Sequence, residues 1–188
     1  MTRIIAGAAG GIRLQVPARG TRPTSDRVRE SVFAVLDSDG SILSARVLDL
    51  YAGSGALGLE ALSRGATSAD LVERDAGAVA VARANAARVS AAGAPAARVH
   101  RAGAESFLAA DAGRYDLVFA DPPYRMPEAE LTRTLTALRG RLADGAAVVV
   151  ERDAHGPEPD WAGAGLAVLR HRSYGDTAVW WAAPSSER

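Results

Sequence analysis

Short apolar segments alternate with longer segments rich in helix-forming residues along most of the chain. The strand candidates are residues 46–50, 69–73, 98–101, 115–120 and 146–151. The helix candidates between them are residues 57–64, 76–92, 105–110 and 128–142. A further helix is indicated by the apolar stripe Val28, Val32, Val35 and Leu36. Strands that alternate with helices are typical of βαβ units, in which helices cover both faces of a parallel sheet.

Both ends of the chain carry hairpin signals instead. Ile4-Ile5 and residues 12–16 flank Gly10-Gly11, which predicts a short β-hairpin. Near the other end, residues 166–172 and 177–182 are strand candidates separated by the turn Tyr174-Gly175-Asp176. We therefore predict an α/β, Rossmann-like fold: a mostly parallel seven-stranded sheet with an antiparallel C-terminal hairpin and a small N-terminal β-hairpin. We assign residues 1–20 to the basic N-terminal extension and residues 21–188 to the main domain.

A glycine-rich segment follows the first strand of the predicted sheet. Gly53, Gly55 and Gly58 have the G-x-G-x-x-G spacing, and Glu73 ends the next strand, where an acid can hold ribose hydroxyls. This spacing alone favours a dinucleotide. Asp49, four residues before the first glycine, would repel a pyrophosphate but suits a ligand that carries an ammonium and a sulfonium group. We therefore favour S-adenosylmethionine over NAD.

The fourth strand of the predicted sheet ends in Asp121-Pro122-Pro123-Tyr124. A turn that merely ends the strand is the structural alternative, but proline fixes φ and has no N–H donor, so this segment is stiff and offers only acceptors. The carboxylate of Asp121 and the carbonyl of Pro122 can accept the two hydrogens of a base amino group and hold its nitrogen in line with a methyl sulfonium. Tyr124 offers a face on which a flipped-out base can stack.

Composition excludes several kinds of chemistry. The 188 residues carry 22 acidic and 22 basic side chains, all of the latter arginine, and no cysteine. The lack of cysteine excludes disulfides and thiolate nucleophiles, and His100, His155 and His171 lack metal-ligand spacing, so we predict no metal. No run approaches the ~20 apolar residues of a membrane helix, and we expect a cytoplasmic protein without a membrane partner.

The charge is unevenly placed along the chain. Within residues 1–30 the charged side chains are Arg3, Arg13, Arg19, Arg22, Arg27 and Arg29 against Asp26 and Glu30, a local balance of +4. A basic arm on a neutral body is one way to hold a phosphate backbone, although a solvated surface has the same composition.

Taken together, these motifs resemble those of the RsmD family, bacterial class I S-adenosylmethionine-dependent methyltransferases that act on a guanine N2 in 16S ribosomal RNA. The resemblance is carried by RIIAG at 3–7, TRPTSDRVRE at 21–30, LDLYAGSG at 48–55, LEALSRGA at 59–66, DPPY at 121–124 and YGDT at 174–177. It therefore extends over nearly the whole chain.

The resemblance implies a set of site residues. The cofactor, S-adenosylmethionine, with S-adenosylhomocysteine as product, would be bound by Asp49, Tyr51, Ala52, Gly53, Ser54, Gly55, Glu73, Arg74, Ala104 and Thr24. The target base would meet Asp121, Pro122, Pro123 and Tyr124, and the RNA would contact Arg3, Arg13, Arg19, Arg22 and Arg125. Gly103 stands where such enzymes often place an acid, so adenine recognition would rest on backbone atoms or on Glu105. The implied substrate is an assembled or partly assembled small ribosomal subunit, and we expect a monomer.

Other hypotheses stay open at this point. The D-P-P-Y turn does not distinguish guanine N2 from adenine N6, so a DNA adenine-N6 methyltransferase is the first alternative. An NAD-dependent oxidoreductase and a non-catalytic RNA-binding protein on the same fold are the others. Thr24 is equally suited to capping the first helix, and Asn85 on the alanine-rich helix is expected to be structural.

Overall fold

In the computed structural model, residues 2–17 and 26–185 are described. The helices are α1 (Asp26–Ser38), α2 (Ala56–Ser63), α3 (Ala76–Ala91), α4 (Ala104–Ala110) and α5 (Glu128–Arg139). The strands are β1 (Thr2–Arg3), β2 (Arg13–Leu14), β3 (Arg46–Leu50), β4 (Ser68–Glu73), β5 (Arg98–Arg101), β6 (Tyr115–Ala120), β7 (Leu142–Asp153), β8 (Leu166–Tyr174) and β9 (Thr177–Pro184). The predicted division between residues 20 and 21 lies outside the described residues.

Seven strands form one sheet in the order β5-β4-β3-β6-β7-β9-β8. β3 pairs in parallel with β4 and β6, β5 extends the sheet beside β4, and β7 extends it beside β6. β9 runs antiparallel to both β7 and β8. The predicted mostly parallel seven-stranded sheet with an antiparallel C-terminal hairpin is therefore confirmed. The strand order reverses between β3 and β6, and in such sheets ligands bind outside the carboxyl ends of the strands at that point.

The sheet is covered on both faces. Alternating side chains of each strand point to opposite faces, so Val47 and Phe119 pack with α1, α2 and α3, whereas Leu48 and Val118 pack with α4 and α5. None of the described helices is long and apolar enough to cross a membrane.

The N-terminal hairpin, α5 and β7 differ from their predicted bounds, and β7 extends over Leu142–Asp153 and not only over residues 146–151. The strands of the N-terminal hairpin pair only at Thr2 with Leu14 and at Arg3 with Arg13, so the first strand lies two residues before the predicted Ile4-Ile5 and the second is shorter than the predicted residues 12–16. α5 ends at Arg139 and not at residue 142, because Leu142 pairs with Tyr115 as the first residue of β7.

The hairpin is docked on α2 by a buried carboxylate. Glu60 is fully buried and accepts hydrogen bonds from the N–H groups of Ile5 (2.6 Å) and Ala6 (3.0 Å). Arg64, which directly follows α2, donates to the same carboxylate at 2.7 Å, so the charge of Glu60 is paired as well as hydrogen-bonded.

Ser63 makes a second contact between α2 and the hairpin. Its hydroxyl accepts from the N–H of Ala9 at 2.9 Å, and its backbone carbonyl accepts from the N–H of Ala8 at 2.8 Å. Gly7 has a φ of +84°, and a Cβ at this position would lie 1.8 Å from the carbonyl oxygen of Ser63. Only glycine fits this close approach.

Candidate active site

A cavity of about 430 Å³ opens at the carboxyl ends of β3, β4 and β6. Its volume lies within the roughly 300–1,000 Å³ usual for small-molecule and cofactor sites. The wall is formed by Pro17, Tyr51, Gly53, Val72, Glu73, Arg74, Asp75, Ala78, Ala102, Gly103, Ala104, Glu105, Ser106, Asp121, Pro123, Met126, Glu130 and Thr134. The cavity therefore lies where the reversal of strand order predicts a ligand.

The loop after β3 turns sharply through left-handed backbone conformations. Tyr51, Gly53 and Gly55 have φ values of +65°, +55° and +80°. The conformation is unfavourable for tyrosine, and the hydroxyl of Tyr51 lies 3.2 Å from Oγ1 of Thr134 on α5, a hydrogen bond that helps to hold the side chain. This loop thereby presents Tyr51 and Gly53 to the cavity.

Gly58 allows α2 to pack closely on the sheet. A Cβ at this position would lie 2.3 Å from Cδ2 of Leu71 and 3.2 Å from Cβ of Asp49. The last glycine of the motif therefore serves close helix–strand packing, which is the role expected of it in a nucleotide-binding turn, and the first lines the cavity.

Glu73 stands at the end of β4 with its carboxylate directed to the glycine loop. It accepts hydrogen bonds from the N–H groups of Gly53 (3.0 Å) and Asp75 (2.8 Å). An ionised carboxylate has about four lone-pair sites, so two remain for ribose hydroxyls in the cavity. The backbone donors fix the orientation of Glu73 without filling its capacity.

Asp49 is almost completely buried between β3 and α2. Its Oδ2 accepts from the N–H of Gly58 at 2.9 Å. Burial raises the pKa of Asp49 to about 7; the Gly58 hydrogen bond opposes this rise, and the negative charges of Asp121 and Glu73 add to it. The three carboxyl groups thus share one region, although Asp49 is missing from the described residues that line the cavity.

The turn after β6 brings the second motif to the same cavity. Asp121 and Pro123 line it, Pro122 is buried, and Tyr124 remains 41% exposed. The hydroxyl of Tyr124 lies 3.4 Å from Oγ1 of Thr177, the first residue of β9. An aromatic ring therefore stands beside the opening, next to a carboxylate that faces the cavity.

The predicted cofactor residues divide into two groups. Tyr51, Gly53, Glu73, Arg74 and Ala104 line the cavity. Among the described residues, Asp49, Ala52, Ser54 and Gly55 belong to the same strand and loop without lining it. Thr24 lies outside the described residues.

Three of the predicted RNA-binding residues, Arg3, Arg13 and Arg125, are described by the structure, and none of these three lines the cavity. Arg3 and Arg13 are exposed and directly opposite one another on the N-terminal hairpin. Arg125 is exposed beside Tyr124. Arg19 and Arg22 lie outside the described residues.

The α5 side of the cavity was not predicted from the sequence. Glu130 and Thr134 line it from one face of the helix, together with Met126 just before the helix. Their spacing of four residues was the available signal, because side chains at i and i+4 share a helix face. Glu105, one of the two candidates for adenine recognition, also lines the cavity, and its carboxylate lies 3.4 Å from the guanidinium of Arg133.

Asn85 connects the N-terminal arm to the glycine loop. It is fully buried on α3; its Oδ1 accepts from the N–H of Gln15 (2.8 Å), and its Nδ2 donates to the carbonyls of Gln15 and Ser54 (both 2.9 Å). Two residues after Gln15, Pro17 lines the cavity. Asn85, which was expected to be structural, thus holds the N-terminal segment around Gln15 against the glycine loop.

Metal ligation finds no support in the part of the chain that the structure describes. No group of three or more His, Asp or Glu side chains lies close enough there to hold an ion. The described wall of the cavity offers carboxylates, backbone groups and an aromatic ring.

Comparisons with known proteins agree with this geometry. A family model described as "Conserved hypothetical protein 95" matches residues 2–183. The chain is 44% identical over 152 residues to Ribosomal RNA small subunit methyltransferase D of Escherichia coli (strain K12), covering 80% of this chain and 74% of the relative. A solved Escherichia coli structure, described as the candidate methyltransferase yhhF, superposes with a TM-score of 0.80 at 38% identity and 98% coverage of both chains.

A more distant structure shares the fold alone. Magnesium protoporphyrin IX methyltransferase of Synechocystis PCC 6803, solved with bound SAM, is 17% identical with a TM-score of 0.69, covering 88% of this chain and 87% of its own. The predicted Rossmann-like class I methyltransferase fold is therefore confirmed.

Proposed function

The chain belongs to the RsmD family, and from that premise we propose that it transfers a methyl group from S-adenosylmethionine to the exocyclic N2 of a guanine in 16S ribosomal RNA. The name of the Escherichia coli relative, a small-subunit ribosomal RNA methyltransferase, supports the RNA substrate. The observation that carries the proposal is that Asp121 and Pro123 share one cavity wall with Gly53 and Glu73.

The residues around the cavity fit the proposed cofactor. Glu73 retains acceptor capacity for ribose hydroxyls, and the start of α4 at Gly103 and Ala104 offers small residues whose backbone can approach an adenine closely. When bound, the cofactor supplies an electrophilic methyl group on a sulfonium. The negative charges of Glu73 and Asp121 suit that cation, and Asp121, which is not part of a dinucleotide motif, would repel a pyrophosphate, so NAD is disfavoured.

The D-P-P-Y turn would hold the target amine. A base amino nitrogen is a weak nucleophile because its lone pair is delocalised into the ring. The Asp121 carboxylate and the Pro122 carbonyl would accept its two hydrogens, orient the nitrogen toward the methyl group and favour tetrahedral geometry. The product nitrogen becomes acidic as the bond forms, so its proton can leave without a strong base. Tyr124 would stack on the extruded base, worth ~1–3 kcal/mol.

The RNA would be held by the hairpin and by the rim of the site. Arg3 and Arg13 project from a hairpin that α2 fixes firmly, and Arg125 stands next to the stacking ring. A small enzyme of this kind would take much of its specificity from the shape of a partly assembled ribosomal subunit. We infer that the protein acts there as a monomer, in the cytoplasm.

Methyl transfer from tritium-labelled S-adenosylmethionine to small-subunit RNA or subunits tests the proposal. We expect Asp121→Ala to abolish incorporation while S-adenosylhomocysteine still binds by calorimetry. Asp116→Ala is the matched control, because Asp116 lies on β6, the strand that leads into Asp121, and accepts hydrogen bonds from Arg46 at the opposite end of that strand. Full activity in Asp121→Ala would refute the proposed amine clamp.

The labelled product decides between the remaining alternatives. Nuclease digestion and mass spectrometry would give N2-methylguanosine, whereas N6-methyladenine in DNA would replace the proposal with the first alternative. Binding of NAD without binding of S-adenosylhomocysteine would instead indicate an oxidoreductase.

A further inference from the structure

Arg152 is a buried cation beside the D-P-P-Y turn. It lies near the end of β7, two residues beyond Val150, and Val150 pairs with Ala120 at the end of β6. Its side chain is only 6% exposed. Burying a charge is unfavourable unless the charge is paired and hydrogen-bonded. The contacts of this guanidinium therefore indicate its role.

The guanidinium is directed at both ends of one turn. Nη2 donates to the carbonyl of Met126 at 3.0 Å, and Nη1 makes a longer bond of 3.4 Å to the carbonyl of Pro123. Nη2 also forms an ion pair with Glu128, at the start of α5. The turn itself is closed by a 2.8 Å hydrogen bond from the N–H of Met126 to the carbonyl of Pro123.

The turn needs an external donor because its own sequence provides few. Pro122 and Pro123 have no N–H, so the segment after β6 cannot continue the hydrogen-bond ladder to β7 through those residues. Arginine can reach several acceptors at once through its planar fork, whereas lysine is a single point charge. Arg152 therefore supplies from the neighbouring strand the donors that the prolines lack.

We propose that Arg152 is a positioning residue for methyl transfer: it clamps the Pro123–Met126 turn and so fixes where Tyr124 stacks the target base beside Asp121. This inference rests on the proposed function. Tyr124 stands inside the clamped turn and its hydroxyl meets Thr177 at 3.4 Å, so the ring is held from both sides. Glu128 keeps the guanidinium turned toward the two carbonyls.

Hydrogen exchange tests the clamp without any substrate. We expect Arg152→Gln to speed exchange of the Met126 amide by about tenfold, because the hydrogen bond to Pro123 loses its support. Arg114→Gln is the matched control: Arg114 also donates to a carbonyl, that of Leu142 at 3.0 Å, but at the opposite end of β6. Unchanged exchange in Arg152→Gln, or an equal change in Arg114→Gln, would overturn the proposal.

Kinetics test the consequence for catalysis. We expect Arg152→Gln to lower kcat by about 100-fold, as expected for misplacement of reacting groups by about 1 Å, with little change in the Kd of S-adenosylhomocysteine. Added guanidinium should restore part of kcat in this variant, and Arg152→Lys should not. Wild-type kcat in Arg152→Gln, or no guanidinium rescue, would contradict a positioning role.

A milder variant covers the case in which Arg152→Gln does not fold. Glu128 is 30% exposed, and Glu128→Gln leaves the arginine in place while removing its ion pair. We expect faster Met126 exchange and a lower kcat in this variant as well, and wild-type values of both would overturn the proposal. Absence of methyl transfer by the wild-type protein would instead reject the proposed function. Hydrogen exchange would still test whether Arg152 clamps the Pro123–Met126 turn.

Discussion

Asp49 should make stability fall as pH rises through the slightly acid range. Burial, with added repulsion from Asp121 and Glu73, raises its pKa from 3.8 to about 7, against the opposing effect of the Gly58 hydrogen bond. The folded protein therefore keeps a proton that the unfolded chain has already released. Stability is unaffected below the unfolded pKa, decreases between the two values, and carries the full penalty above pH 7.

The size of the effect follows from the two pKa values. One pKa unit corresponds to about 1.4 kcal/mol, so a rise of about 3 units corresponds to about 4 kcal/mol at high pH. At pH 5 the unfolded carboxyl is already ionised and part of the penalty is present. The loss between pH 5 and pH 8 is therefore about 2.5 kcal/mol. Asp49→Asn removes the charge and retains an oxygen that can accept from Gly58, so the variant should escape this loss.

Urea unfolding at pH 5 and pH 8 measures the effect. Between pH 5 and pH 8 we expect the free energy of unfolding of the wild type to fall by about 2.5 kcal/mol relative to that of Asp49→Asn. Asp116→Asn is the control, because its hydrogen bonds with Arg46 lower the pKa of Asp116 and the group does not titrate in this range. A difference between Asp49→Asn and the wild type that is equal at both pH values would refute the buried, proton-holding carboxyl.

Two further predictions concern the docked arm. Gly7→Ala should lower the free energy of unfolding by at least about 2 kcal/mol more than Gly11→Ala, because both glycines have positive φ but only the Cβ at Gly7 collides with backbone; equal losses in chemical denaturation would contradict this. Asn85→Ala removes the three hydrogen bonds of a fully buried side chain and should lower the free energy of unfolding by about 3 kcal/mol. Trypsin should then cleave after Arg13 faster than in the wild type, and unchanged cleavage would show that Asn85 does not hold the arm.

The sequence was sufficient to predict how the two motifs meet. Each motif follows a strand candidate, and the alternation of strands and helices predicts a sheet in which parallel strands present their carboxyl ends on one edge. The structure has the glycine loop after β3 and Asp121 after β6, on adjacent strands. The hydrophobic pattern and the geometry of parallel sheets were therefore sufficient to predict most of the fold and the residues at the centre of the site.

The surroundings of that centre depended on contacts between distant segments. The position of Arg152 at the D-P-P-Y turn follows from the register of β7 against β6, which includes an irregularity between Tyr115 and Leu117. No local pattern encodes that register. The short hairpin likewise depends on Glu60, which lies 55 residues from Ile5 in sequence. Local propensity predicted a first strand at Ile4-Ile5 and a longer second strand, whereas tertiary hydrogen bonds to α2 hold the N–H groups of Ile5 and Ala6 instead.

The attachment of the hairpin leaves its outward side chains free to diverge. Glu60 and Ser63 accept hydrogen bonds from backbone N–H groups, which every residue except proline possesses, so the bonds at Ile5 and Ala6 do not depend on which side chains stand there. Homologous proteins could therefore replace the arginines of this hairpin and change which molecules the hairpin contacts, while its hydrogen bonds to α2 stay the same. Gly7 is different, because the carbonyl of Ser63 leaves no room for a methyl group at that position.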